Sequence, residues 1–139
     1  MNPSAYLQFN GQCAEAFAFY AQLLGAQLGE HHPASQSPMA DQLQPHQKDW
    51  TMHAQLHWPN GQVLMGCDAL MGPYEAPRGF HLTLNRTSVD EARALFDALA
   101  AGGQVQMPFE PTFWAAGFGM LVDRFGVPWM VNVDAPTAA

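Results

Sequence analysis

The sequence repeats one pattern of apolar residues after about 75 positions, and this repeat limits the fold more than any other feature. Glu15-Ala16 in the first half recurs as Glu91-Ala92 in the second, and Leu7 corresponds to Leu82. Each half has the pattern of a strand, a helix and then about three strands. A single βαβββ unit leaves one face of its sheet open, so two units have to combine. The repeat therefore predicts an α+β fold in which two βαβββ modules pair to enclose a cleft.

The first module begins with a strand and a helix. Residues Ala5–Asn10 alternate, with Leu7 and Phe9 on one face and polar side chains on the other. Gly11 ends this strand, and a helix of about 12 residues follows from Cys13. Its apolar stripe comprises Phe17, Tyr20, Ala21 and Leu24. The strand and the helix are therefore predicted to share one core.

The rest of the first module contains a long irregular segment between predicted strands. Gln27–His32 is a possible short strand, and Pro33–Trp50 is rich in Pro, Ser, Gln and His. A segment of this length is expected to be mobile or to pack on a partner, with a functional lid as the alternative. Thr51–Trp58 alternates as a strand does, and Pro59-Asn60-Gly61 predicts a hairpin into Gln62–Asp68. Asp68, at the end of that strand, is expected to cap a turn.

The second module repeats this order. Gly79–Arg86 is predicted as a strand, and Ser88 with Glu91 forms a capping-box pattern at the start of a helix. The core stripe of that helix comprises Ala92, Leu95, Phe96 and Leu99. The remaining strands are expected at Gln104–Phe109, Gly117–Asp123 and Val127–Val133. The chain is thus interpreted as one domain, 1–139, with modules at about 4–70 and about 78–134.

Composition excludes several classes of partner. A formal charge of −7 with only five Lys and Arg argues against binding to nucleic acid, because phosphate contacts need clustered basic residues. No apolar run approaches the roughly 20 residues of a membrane span. Two cysteines form no disulfide framework, and the first residues do not have the pattern of a signal peptide. A cytoplasmic protein with a small-molecule ligand, a second copy of itself, or both is expected.

The stretch Met107–Asn132 holds two of the four Trp, four of the nine Phe and three of the eight Met. Its turn signals separate short runs, which predicts consecutive strands of a sheet that folds around a pocket. An ordinary strand core explains the same composition. Trp114 and Phe118 are expected either to cover the mouth of the pocket or to pack at a subunit interface.

Several segments of the chain are similar to one family. They are YLQFNGQCAEAFAFY from Tyr6, HAQL from His53, LMGCD from Leu64, GFHLTLN from Gly79, MPFEPTFW from Met107 and FGMLVDRFGVPWMVN from Phe118. In this order the chain resembles the vicinal-oxygen-chelate superfamily of glyoxalase I, extradiol dioxygenases and bleomycin- and fosfomycin-resistance proteins, and more narrowly its PhnB-like branch. The resemblance implies the glyoxalase fold and a small-molecule site.

The resemblance also implies positions for a metal ion, which metal-using members hold with His, Gln or Glu. His81 keeps a usual ligand on the first strand of the second module. Its counterpart falls on Ser4, Ala5 or Tyr6, depending on the alignment, and the last-strand positions are Met65 and Met130. A thioether is a poor ligand for Zn, Mn, Fe or Ni. No metal or other cofactor is therefore expected.

The remaining candidate site is an apolar cleft with a few polar groups. Its predicted residues are Tyr6, Gln8, Met65, His81, Thr83, Trp114, Phe118 and Met130. His81 is the candidate general base, unless it only forms a hydrogen bond with Thr83 or another neighbour. His53 and His57 are four residues apart in a strand, or about 13 Å, and so cannot chelate one ion together. Cys67 is expected to be a buried, inert thiol.

Three functions from different classes remain open. The first is metal-free binding of a small, largely apolar molecule. The second is a metal-dependent lyase or dioxygenase of the glyoxalase kind with an atypical ligand set. The third is a dimer without a ligand of its own. A homodimer is expected in each case, and the sequence leaves open whether modules pair within one chain or between chains.

Overall fold

Each half of the chain forms one four-stranded sheet with one helix packed against it. The computed structural model describes residues 3–136, and the chain divides into a first unit that ends at Ala76 and a second that begins at Pro77. The first unit contains β1 (Tyr6–Phe9), α1 (Cys13–Leu24), β2 (Gln27–Pro33), β3 (Thr51–His57) and β4 (Val63–Asp68). The second contains β5 (Leu82–Arg86), α2 (Val89–Ala100), β6 (Gln104–Glu110), β7 (Ala115–Val122) and β8 (Pro128–Asp134). The predicted α+β fold of two βαβββ modules is confirmed.

The two sheets have the same topology. The strand order is β1-β4-β3-β2 in the first unit and β5-β8-β7-β6 in the second. In each sheet the first strand pairs in parallel with the last strand of its unit, and the other neighbours are antiparallel. The repeat in the sequence therefore encodes strand pairing as well as the order of elements.

The core of the first unit lies between α1 and one face of its sheet. Leu7 and Phe9 are fully buried, as their alternation predicts. The Phe9 and Phe17 rings meet edge to face with centroids 5.8 Å apart. A Cβ atom on Gly66 would lie 2.9 Å from the Phe17 ring, so the absence of a side chain there lets the helix approach the sheet. Ala21, predicted in the core stripe, is only half-buried.

The core of the second unit is built in the same way. All four residues of the predicted α2 stripe are buried. A Cβ atom on Gly119 would lie 2.6 Å from the Phe96 ring and 2.9 Å from Cα of Phe109, so this strand position also accommodates close packing. The strand β5 begins at Leu82 rather than at Gly79, which places His81 just before the strand.

The segment after Pro33 contains three short 3₁₀ helices, at Ala34–Gln36, Ala40–Gln42 and Pro45–Gln47. Its ends are joined by a hydrogen bond of 2.8 Å from the Ala34 amide to the Trp50 carbonyl. Ala34 is fully buried. This bond therefore holds the two ends of the segment together. That the segment is mobile or packs on a partner stays a prediction.

Asp68, which the sequence predicts to cap a turn, accepts hydrogen bonds from distant backbone amides instead. Its two carboxylate oxygens accept hydrogen bonds from the amides of Cys13 (3.0 Å) and Thr51 (2.8 Å). The carboxylate therefore ties the start of α1 and the start of β3 to the end of β4. In the second unit Asp123 accepts from the Phe125 amide and from the Trp129 indole, each at 2.9 Å.

Among residues 3–136, no helix is both long enough and apolar enough to cross a membrane.

Candidate functional site

Each sheet has one face covered by its helix and one face that the helix does not cover, which we call the helix-free face. In the first unit this face carries Tyr6, Gln8 and Met65 of the predicted site. Tyr6 lies directly beside Met65 in the parallel pairing of β1 with β4, and Gln8 lies beside Cys67. Tyr6 remains 50% exposed, while its neighbour Leu7 is buried in the core. These three predicted residues therefore share one surface.

The second unit holds the other five predicted residues. Thr83 lies beside Met130 across β5 and β8, and its hydroxyl donates to the Met130 sulfur at 3.9 Å. Nε2 of His81 lies 2.8 Å from Oε1 of Gln106. Because a carbonyl oxygen only accepts, His81 donates through Nε2. His81 thus forms a bond with a neighbour, Gln106 rather than Thr83, and its role as a general base stays a prediction.

Trp114 and Phe118 belong to a group of three aromatic side chains. The Trp114 ring meets Phe113 with centroids 4.7 Å apart and Phe118 with centroids 5.4 Å apart, both edge to face. Phe113 is 95% exposed and Trp114 about half exposed. We call these three residues the aromatic group. Its exposure is compatible with contact to a ligand or to another chain.

The helix-free face of the first unit also carries a hydrogen-bonded row that the sequence interpretation missed. The Tyr6 hydroxyl oxygen lies 3.0 Å from Nδ1 of His53. Nε2 of His53 lies 2.9 Å from Nε2 of Gln55, and Oε1 of Gln55 lies 2.9 Å from Nε2 of His57. We call Tyr6, His53, Gln55 and His57 the polar row.

The spacing of the two histidines excludes a shared ion but permits a bridge between them. His53 and His57 are four residues apart in a strand, and Gln55 lies between them on the same face and contacts both. Alternation of polar residues along Thr51–His57 is the sequence signal that points to this bridge. The connection to Tyr6 needs the order of the strands, which alternation alone does not give.

Burial determines the ionisation of Tyr6 and of its neighbour Cys67. Burial raises the pKa of Tyr6 to about 12, and the neighbouring Cys67 raises it as well, by its charge and through a hydrogen bond. Burial also raises the pKa of the Cys67 thiol, and Asp68 adds to this rise, while the hydrogen bond from Tyr6 opposes it. At neutral pH this surface therefore presents a phenol and a thiol rather than their anions. Cys67 is half-buried rather than buried. Its inertness stays a prediction, which the raised pKa of the thiol favours.

The donor atoms at the superfamily's metal positions do not fit a hard divalent ion. Met65 and Met130 offer thioethers, and Tyr6, one of the alternatives for the third position, is a neutral phenol. His81 is the one usual ligand, and a single imidazole is too few for a tightly held ion. Within residues 3–136, no three or more His, Cys, Asp or Glu side chains are arranged so that they could hold a metal ion. No step that depends on a metal is derived for this site.

Comparison with known proteins assigns the family. The model of the Glyoxalase/Bleomycin resistance protein/Dioxygenase superfamily matches residues 4–131. The chain belongs to this superfamily. The resemblance inferred from its segments is thereby confirmed.

Two relatives of this superfamily member are similar over nearly the full chain. Protein YjdN of Escherichia coli (strain K12) is 38% identical over 138 residues, which cover 94% of this chain and 93% of YjdN. The crystal structure of protein PA1353 from Pseudomonas aeruginosa is 47% identical, with a TM-score of 0.86 and coverage of 96% and 98%. The resemblance therefore extends over both modules.

More distant structures share the fold alone. A PhnB protein from Bacillus cereus, described as a putative 3-demethylubiquinone-9 3-methyltransferase, has a TM-score of 0.80 at 23% identity, covering 96% of this chain and 99% of its own. A mutant of the fosfomycin resistance protein FosX from Listeria monocytogenes, complexed with Mn(II) and a dihydroxypropylphosphonic acid, has a TM-score of 0.65 at 10% identity, covering 97% and 93%. The fold of this superfamily member is thus that of the PhnB neighbour.

Proposed function

We propose that this superfamily member binds a small, largely apolar molecule on the helix-free face of a sheet, without a metal ion. The observation that carries the proposal is the pairing of a thioether with a hydroxyl on each face. Tyr6 lies beside Met65 in one unit, and Thr83 lies beside Met130 in the other. Small-molecule sites combine apolar contacts with a few polar groups that orient the ligand.

Methionine suits such a surface because its side chain is unbranched, flexible and polarisable. Met130 is also paired with Met120 on the neighbouring strand β7, so two thioethers lie side by side. Both side chains are only half-buried. An apolar ligand would gain contacts with both sulfur atoms and remove them from water.

A thermal-shift titration tests ligand binding. Bicyclic hydrocarbons such as tetralin are expected to raise the melting temperature with concentration, because a ligand that binds only the folded state stabilises it. Met65→Glu and Met130→Glu place a carboxylate on one helix-free face each, and the variant on the face that binds the ligand should abolish this rise. Met71→Glu is the matched control, because Met71 is 82% exposed in the connection between the units. If the control variant loses the shift equally, or if no apolar molecule shifts the native chain, the proposal is wrong.

Metal removal is expected to leave binding unchanged. Chelation with EDTA followed by gel filtration should give the same ligand titration as the untreated protein, because the metal positions carry thioethers and a neutral phenol. Elemental analysis of protein purified without chelators provides the second measurement. Near-stoichiometric divalent metal that disappears in His81→Ala would instead favour the metal-dependent lyase or dioxygenase.

We also propose that the protein is a homodimer in which the aromatic group contributes to the contact. The support is the exposure of Phe113, which a partner would reduce by burying the ring. Light scattering after size exclusion should give twice the mass of the chain, and Phe113→Ser should lower it at micromolar concentration. Leu28→Ser is the control, since Leu28 is an exposed apolar residue of the first unit. A monomeric native chain would contradict this part of the proposal.

A further inference from the structure

In each hydrogen bond of the polar row, the types of the two atoms determine which partner donates. At one end, Nε2 of His57 faces the carbonyl oxygen of Gln55 at 2.9 Å, so His57 donates. On the other side of the same amide, the nitrogen of Gln55 faces Nε2 of His53 at 2.9 Å. An amide nitrogen has only hydrogens to offer, so Gln55 donates and His53 accepts.

The same direction continues to Tyr6. A neutral imidazole that accepts at Nε2 carries its proton on Nδ1. Nδ1 of His53 lies 3.0 Å from the Tyr6 oxygen, so His53 donates and the Tyr6 oxygen accepts. The rings of Tyr6 and His53 are also stacked, with centroids 5.7 Å apart and an angle of 29° between the planes, which holds the pair in this geometry. The hydrogen of the Tyr6 hydroxyl is therefore directed to a different partner.

Cys67 is the neighbouring side chain that shares a hydrogen bond with Tyr6. The hydrogen bond between Tyr6 and Cys67 lowers the pKa of the thiol. Because the Tyr6 oxygen accepts from His53, the Tyr6 hydroxyl is the donor in its bond with Cys67, and the sulfur accepts. Sulfur is a weak acceptor. A carbonyl oxygen that entered this surface would be a better acceptor for the same hydrogen.

We propose that the Tyr6 hydroxyl donates a hydrogen bond to a carbonyl oxygen of the bound molecule, and that the polar row fixes Tyr6 as the donor. The ligand class is then an apolar ketone or aldehyde. His53, Gln55 and His57 act as positioning residues, because their role in this proposal is to orient Tyr6. Successive donors in one direction polarise each other and strengthen the last bond of the row. The inference rests on the proposed function and names the polar group that its ligand carries.

Two probes of equal size test the preference. Tetralin is a bicyclic hydrocarbon, and α-tetralone differs from it by one carbonyl oxygen. α-Tetralone is expected to bind about three- to tenfold more tightly by calorimetry, the effect of one net hydrogen bond. In Tyr6→Phe the preference for the ketone should be lost, because the carbonyl oxygen then has no donor on this surface. Tyr74→Phe is the matched control and should keep the preference for the ketone.

Gln55→Leu tests the positioning role of the row. Without the bridge His53 is released, so the preference for α-tetralone should fall while tetralin still binds. Gln104→Leu makes the same change at an exposed strand position outside the row and should keep the preference. Long-range NMR spectra of ¹⁵N-histidine give a readout that needs no ligand. Above the titration range of histidine they should show the Nδ1–H tautomer for His53, and Gln55→Leu should shift it.

The outcomes separate the two proposals. If tetralin and α-tetralone bind equally to the native chain, or if Tyr6→Phe keeps the preference, the inference is wrong and the proposed function stands. An Nε2–H tautomer for His53 would reverse the row and also overturn the inference. If neither probe binds, the proposed function fails together with the inference. A ketone preference that depends on Tyr6 and Gln55 supports both.

Discussion

At the scale of single residues, Asp68 is the most informative side chain outside the candidate site. It is 2% exposed and accepts hydrogen bonds from two buried backbone amides, of Cys13 and Thr51. Burial raises the pKa of this carboxyl, while the backbone hydrogen bonds oppose the rise. Asp68 therefore satisfies backbone donors that would otherwise be buried without a partner, and its ionised form is destabilised by the same burial.

Replacing Asp68 with Asn should destabilise the protein. The amide keeps one acceptor oxygen and places an NH₂ group against a backbone N–H, so one buried donor loses its partner. The free energy of unfolding should fall by about 1–3 kcal/mol in urea titrations. Asp41→Asn, at an exposed position in a 3₁₀ helix, should change it little. Equal effects of the two substitutions would show that the buried bonds contribute nothing.

The pH dependence of the same variant has a defined sign. Because the folded pKa of Asp68 is raised above its unfolded value, its contribution to stability is full below the unfolded pKa and is lost as pH rises through the folded pKa. The free energy of unfolding of the native chain should therefore exceed that of Asp68→Asn by more at about pH 4, around the unfolded pKa, than at neutral pH. Unfolding titrations at both values provide the test. If this difference in free energy grows with pH instead, the backbone hydrogen bonds lower the pKa of Asp68 by more than burial raises it.

The two thiols should react slowly. Burial raises the pKa of Cys13 and of Cys67, and the thiolate is the reactive form. At about pH 8, below the ordinary thiol pKa, both should react with a disulfide reagent more slowly than in denaturant. Cys67, which is half-buried, should react before Cys13, which is buried. Cys67→Ser and Cys13→Ser identify the two phases, and a fast phase assigned to Cys13 would contradict the expectation.

At the scale of elements, the two helices begin in different ways. The Ser88 hydroxyl accepts from the Glu91 amide at 3.2 Å, so α2 has a local cap, which is the serine half of the capping box that its sequence predicts. Gln12 precedes α1 without a side-chain cap, and Asp68 accepts from the first amide of the helix instead. Ser88→Ala should therefore lower the free energy of unfolding by about 1 kcal/mol, and Gln12→Ala should have almost no effect. Denaturant titrations of the two variants measure the difference, and equal losses would contradict this account.

The elements themselves could be predicted from the sequence because their signals are local. The spacing of Phe17, Tyr20 and Leu24 defines a helix face without reference to any other part of the chain. The alternation around Leu7 and Phe9 defines a strand face in the same way. The boundary of β5 is harder to predict. The predicted start is Gly79 and the observed start is Leu82, because the first pairing partner of this strand, Trp129, lies far away in sequence.

The contacts of the candidate site could be predicted only in part. The side of the sheet on which Tyr6 and Met65 lie follows from alternation and from the family. The bond from His81 to Gln106 spans 25 residues and that from Tyr6 to His53 spans 47, so both depend on strand order and register. The sequence pattern of a single strand contains neither the strand order nor the register. Distant pairing therefore accounts for the polar row that sequence interpretation missed.

At the scale of the whole molecule, the shared topology predicts the order in which backbone amides exchange. In each sheet the two central strands have neighbours on both sides, β4 and β3 in one unit and β8 and β7 in the other. Outer strands are bonded on one side and open more easily. Hydrogen exchange followed by mass spectrometry should therefore show stronger protection for Pro128–Asp134 than for Gln104–Glu110. Faster exchange in β8 than in β6 would contradict the strand order.

The outer strands β2 and β6 have one more consequence, for self-association. Both pair with shifts in register, and each contains a proline, Pro33 and Pro108, that cannot donate to a ladder. Interrupted edges of this kind are poor templates for another strand, which is how natural sheets avoid aggregation. Fibrils or dimers formed by extending a sheet through these edges are therefore disfavoured. A second copy that avoids these two edges can bind through side chains, as the exposed ring of Phe113 allows.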